Sequence, residues 1–97
     1  MDLAAATADD FRKEIGTTFT VRGGERPLPF VLAEVTEAIA APGAPRIPFS
    51  IVFRGPVEPV LAQQILTLDH PGLGELAIFV VPLGVNAQGT SYQAVFA

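Results

Sequence analysis

The one histidine, His70, is where acid–base chemistry would have to start in this chain. A nucleophilic triad needs it beside a hydroxyl and an acid, and the sequence offers Ser50, Ser91 and Asp69. Asp69 directly precedes His70, so in a strand the two side chains point to opposite faces. A base without an orienting group within hydrogen-bond reach is a poor one. The segment His70-Pro71-Gly72-Leu73-Gly74 gives the ring a simpler role, capping a turn by bonding to local backbone.

Other constellations carry less. One histidine, no cysteine and scattered carboxylates give no zinc spacing. Asp9-Asp10 lacks the alternating oxygen ligands of a calcium loop and suits the positive end of a helix instead. Gly72-Leu73-Gly74-Glu75-Leu76-Ala77 fits the G-x-G-x-x-A form of a dinucleotide fingerprint, which works only when a helix follows. Ala77-Ile78-Phe79-Val80-Val81 follows, which is strand-like, so these glycines make a hairpin turn. Arg54 and Glu58 flank a Gly-Pro turn; they form either a surface ion pair worth at most about 1 kcal/mol or a polar rim beside an interface. No cofactor, metal ligand set or catalytic residue is expected.

The elements that would hold these groups read as strands. Phe49, Ile51 and Phe53 alternate with Ser50, Val52 and Arg54, the period of a half-buried strand. Phe53 is therefore expected in the core. Leu66 and Leu68 alternate with Ile65, Thr67 and Asp69, and after the glycine turn Glu75 to Val81 returns as an apolar run. Phe19 and Val21 mark a strand over 17–22. Leu28 to Thr36 carries apolar residues on both parities, so either both faces are covered or a bulge switches the parity. Tyr92, Ala94 and Phe96 mark the last strand, after a polar loop over 85–90. A short helix is expected over 7–16, with Thr7 as N-cap, Phe11 and Ile15 as its buried stripe and Gly16 ending it. The Ala/Pro-rich stretch 37–46 reads as an exposed loop. Six short strands with close turn signals predict a mainly β, single-domain chain over 1–97: a small antiparallel six-stranded barrel or two-layer sandwich with one short N-terminal helix.

Ninety-seven residues bury roughly 60–70% of the unfolded surface, enough for a core without staples. The apolar fraction of 49% is high for so small a chain, so some apolar surface should be left for a partner. A net charge of −4, with no cationic cluster beyond Arg12-Lys13, argues against nucleic acid and against an anionic membrane surface. No run approaches the ~20 apolar residues of a membrane helix, and the N-terminus lacks the basic region of a signal peptide. A cytoplasmic protein is the expectation.

TADDF, GTTFTVR, PFVLAEVTE, PFSIVFRGP, LDHPGLGELAIFVVPLG and SYQAVFA together resemble an uncharacterised family of small bacterial domains of unknown function. The resemblance covers nearly the whole chain, and FRGP and the HP-x-LG block are its most specific parts. It implies no catalytic residue and no cofactor; an association with phage-tail-like or tail-collar proteins is what it suggests about process. The expectation is a non-catalytic interaction or assembly module that self-associates or holds a protein partner. Strand residues 76–81 are apolar on both parities, which places Phe79 at the contact, with Arg54 and Glu58 as rim candidates. A small-molecule-binding β-barrel is the alternative and would need an interior cavity.

Overall fold

The computed structural model describes residues 1–97 as six antiparallel strands closed into a barrel, with one short helix. The elements are α1 (Ala8–Arg12), β1 (Thr18–Val21), β2 (Leu28–Glu37), β3 (Phe49–Gly55), β4 (Gln64–His70), β5 (Gly74–Asn86) and β6 (Gly89–Phe96). Around the barrel the order is β1-β2-β3-β6-β5-β4, and β4 returns to β1. Of the two architectures the alternation allows, the barrel is adopted.

Alternation decides what fills it. Phe49, Ile51 and Phe53 of β3 are buried, as are Leu66, Leu68 and His70 of β4 and Tyr92, Ala94 and Phe96 of β6. The interior is mostly aromatic. Phe53 meets Phe19 edge-on with centroids 5.2 Å apart, Phe30 stacks on Tyr92 at 4.6 Å, and Phe49 stacks on Phe96 at 4.6 Å. The Tyr92 hydroxyl accepts the Leu61 N–H at 2.8 Å, which satisfies its polar end and fixes the β3–β4 connection against the barrel.

The double parity of β2 resolves into a bulge. Its register against β3 shifts between Leu32 and Glu34, so Phe30 and Leu32 face inward early and Val35 packs against the core later. The apolar run of β5 is divided between the two faces of the closed sheet. Leu76, Ile78 and Val80 are buried, whereas Ala77 is exposed and Phe79 is 52% exposed. A closed sheet has one inside, and the single short helix lies elsewhere. β5 is also longer than expected: it runs to Asn86, and the stretch 85–90 is a tight hairpin in which Val85 pairs with Thr90 and Asn86 with Gly89. The Asn86 side chain accepts the Gln88 N–H and shapes that turn. Gly74 to Val80 ladder with β4, and Val81 to Asn86 with β6, so β5 changes partner midway.

Asp10 accepts the Thr7 backbone N–H at 2.9 Å, which starts α1 as the sequence predicts, and Phe11 is fully buried against Phe49 and Phe96. The helix ends earlier than expected. Glu14 N–H donates to the Phe11 carbonyl and Thr17 N–H to that of Glu14, three-residue steps that tighten the chain after Arg12. Ile15 is thereby turned outward and is 45% exposed, not buried beside Phe11. Gly16 has φ of 91° and turns the chain into β1.

Candidate functional site

His70 lies at the end of β4, buried, with its ring 4.3 Å from that of Phe19. Nδ1 accepts two backbone N–H groups, from Gly72 at 3.0 Å and Leu73 at 3.1 Å. Nε2 sits 2.9 Å from Thr17 Oγ1 and 3.2 Å from Glu14 Oε2. Two accepted bonds at Nδ1 leave the ring proton on Nε2, where the hydroxyl and the carboxylate both converge. A triad distributes those partners differently, with the acid on one nitrogen and the nucleophile on the other. Here the acid and the hydroxyl share one nitrogen while the turn occupies the other. The arrangement ties the β4–β5 turn to the segment after α1. Neither Glu14 nor Thr17 stood out in the sequence, because each lies more than fifty residues from His70 and neither forms a motif with it.

Replacing His70 with asparagine keeps one acceptor for the turn but removes the ring from Phe19 and the bridge to Thr17. A loss of about 1–3 kcal/mol in denaturant unfolding is expected, with the fold retained. A loss below measurement error contradicts a structural role for the ring.

On the outer surface, Arg22 makes a two-pronged contact with Asp69, Nε to Oδ2 at 3.0 Å and Nη2 to Oδ1 at 2.6 Å, and reaches Glu75 at 3.0 Å. The hydrogen bonds from Arg22, helped by its charge, hold the Asp69 carboxyl below its usual range. All three side chains are about half exposed, so solvent screens the network and it organises neighbouring strands more than it stabilises them. Arg54 and Glu58 form no ion pair; Arg54 is exposed at the end of β3, and its stem lies under the β5–β6 turn near Gly89. No group of three or more His, Asp or Glu side chains is placed to hold a metal ion. No helix is long and apolar enough to cross a membrane.

Two surface features lie beside each other on β4. Ile65 of β4 and Phe79 of β5 are directly paired across the ladder and both project outward, 68% and 52% exposed. On the adjoining side of β4 lies an open groove of about 740 Å³, with Val21, Leu28, Leu61 and Leu66 on its floor and Arg22 and Arg26 at its rim. Both features lie on the outside of the barrel, whose interior is occupied by core side chains.

Residues 6–96 match a family described as a domain of unknown function, DUF6916. The chain belongs to that family. No curated protein and no solved structure matches it. The DUF6916 match spans all six strands and α1, so the barrel, the His70 turn and the Ile65–Phe79 pair all fall within it.

Proposed function

We propose that this domain is a non-catalytic protein-interaction or assembly module whose contact face is the outer surface of β4 and β5. The observation that carries the reading is the Ile65–Phe79 pair: two large apolar side chains in register, each more than half exposed, on a chain with an already filled core. Val95, 70% exposed on β6, adds to the apolar character of the outer wall. Burying such a surface against a partner is favourable by roughly 25 cal/mol per Å². The commitment of both His70 nitrogens to structural partners supports a role without acid–base chemistry. A place as an accessory of a phage-tail-like particle is the finer form of this proposal, resting on the resemblance of the FRGP and HP-x-LG segments. Binding of a small molecule is the second reading. The groove beside β4 favours it, although a ligand there would lie on the barrel and not within it.

Phe79→Glu places a carboxylate at the centre of the apolar pair while leaving the inner face of β5 untouched. Self-association measured by light scattering at micromolar concentration is expected for the natural chain and lost in the variant, with the thermal transition little changed. A natural chain that scatters as a monomer, indistinguishable from the variant, overturns self-association through this face.

A further inference from the structure

The ladder between β1 and β4 stops early. Thr20 pairs with Asp69 and Val21 with Leu68, and one further bond runs from the Arg22 N–H to the Thr67 carbonyl at 2.8 Å. Gly23 and Gly24, both at positive φ, then carry the chain away into the β1–β2 turn. β4 continues without a neighbour on that side for Leu66, Ile65 and Gln64, although all three pair with β5 on the other.

Which backbone groups are left open follows from the strand period. The N–H and C=O of one residue point to the same edge of a strand, and successive residues alternate between edges. Thr67 turns its carbonyl toward β1, so Ile65, two residues earlier, turns its N–H and C=O the same way. The groove lies against this edge. Its apolar floor is what the next inward-pointing side chain of β1 would have covered, had β1 continued past Arg22.

We propose that the open edge of β4 at Ile65, with the groove beside it, is a strand-addition site for an extended segment of another protein chain. This rests on the interaction reading above and names the form of the partner. The incoming strand continues the line of β1, antiparallel to β4. The residue facing Ile65 exchanges an N–H···O=C pair with it and points its side chain outward, alongside Ile65 and Phe79. The adjacent residue points inward, onto Val21, Leu28, Leu61 and Leu66. Extended backbone is the occupant that matches a donor and an acceptor on a single residue beside an apolar floor, and this mode of recognition takes affinity from main-chain bonds and selectivity from alternate side chains. Arg22 is held by Asp69 and Glu75, and Glu25 also lines the groove; Arg26 is the rim cation that makes no ion pair, and it is the one an acidic residue at the end of the segment would meet.

The probe is a short capped peptide of alternating threonine and valine ending in glutamate, titrated into isotope-labelled protein while amide resonances are followed. Saturable shifts are expected at Ile65, Leu66 and the 22–26 turn. N-methylation of the threonines, which face Ile65 when the valines face inward, is expected to weaken binding at least about tenfold. N-methylation of the valines, whose N–H groups point away from β4, is expected to leave it within about twofold. Ile65→Pro removes the donor at the open edge without removing a bond to β5, as proline at a strand edge allows, and is expected to weaken binding about as much as threonine methylation. Should that variant not fold, the two methylated peptides decide the matter on the natural chain. No saturable shift up to about 1 mM peptide, or equal binding of both methylated forms, overturns strand addition. Shifts confined to the surroundings of Phe79 and unaffected by Ile65→Pro also overturn it, while leaving the interaction face itself standing.

Discussion

Gly89→Ala is expected to destabilise the domain by about 3–5 kcal/mol, the sum of a clash and a backbone strain. A Cβ at this position would lie 2.2 Å from the Gly55 carbonyl oxygen and 3.0 Å from the stem of Arg54. The φ of 138° is one that L side chains rarely adopt. Backbone cannot withdraw as a flexible side chain would, because Gly55 is held in the β3–β6 ladder opposite Thr90. The β5–β6 hairpin and the end of β3 therefore approach each other as bare backbone. Gly43→Ala is the comparison, since that glycine also has positive φ but open space around it. It should cost only the conformational part, about 1–2 kcal/mol. Urea unfolding of the two variants separates the terms, and equal losses would show that contact with Gly55 contributes nothing.

Phe53→Ala should cost about 3–5 kcal/mol. Its ring is fully buried and stands between Phe19 and Phe30, with centroids at 5.2 and 5.9 Å. Those neighbours sit on β1 and β2, so a void at 53 lies where three strands meet and no single side chain can swing to fill it. Total stabilities of about 5–15 kcal/mol make this a large fraction of what a domain of this size has. The far-ultraviolet spectrum should remain that of a β protein while the midpoint of urea unfolding falls sharply. A loss under about 1 kcal/mol is what an exposed position gives, and would contradict the burial of this ring.

These effects show which parts of the fold can be read without coordinates. β3, β4 and β6 are legible because alternation and burial are the same fact in a strand with one wet face: Phe49, Ile51 and Phe53 could not all be outside. The bulge of β2 is legible as a parity conflict, since Phe30 and Leu32 fall on one parity and Val35 on the other. β5 is legible only as two apolar parities: closure of the barrel puts Leu76, Ile78 and Val80 inside and leaves Phe79 outside. Ile15 is misplaced because spacing from Phe11 assumes the helix continues, and three-residue hydrogen bonds after Arg12 end it. The hairpin at 85–90 hides behind polar residues, whose backbone pairs as well as any other. At His70 the bond to the turn is local and readable. Its bonds to Glu14 and Thr17 join distant parts of the chain, and only the closed barrel brings them together. The open edge at Ile65 has no sequence signature at all; it exists because Gly23 and Gly24 lead β1 away.

Arg46, in the Ala/Pro-rich stretch, donates to the carbonyls of Leu3, Ala4 and Ala6 and to that of Ala97, with its guanidinium above the rings of Phe49 and Phe96. One planar cation thus gathers the first turn of the chain and its last strand at a single point on the barrel. In polymer terms the two ends of the fold are already a closed loop, joined non-covalently. Any polypeptide adjoining residues 3 and 97 enters and leaves at the same place. Threading this barrel into a longer chain would then impose little loop-closure entropy on its host, since the host's two halves meet almost as they would without it.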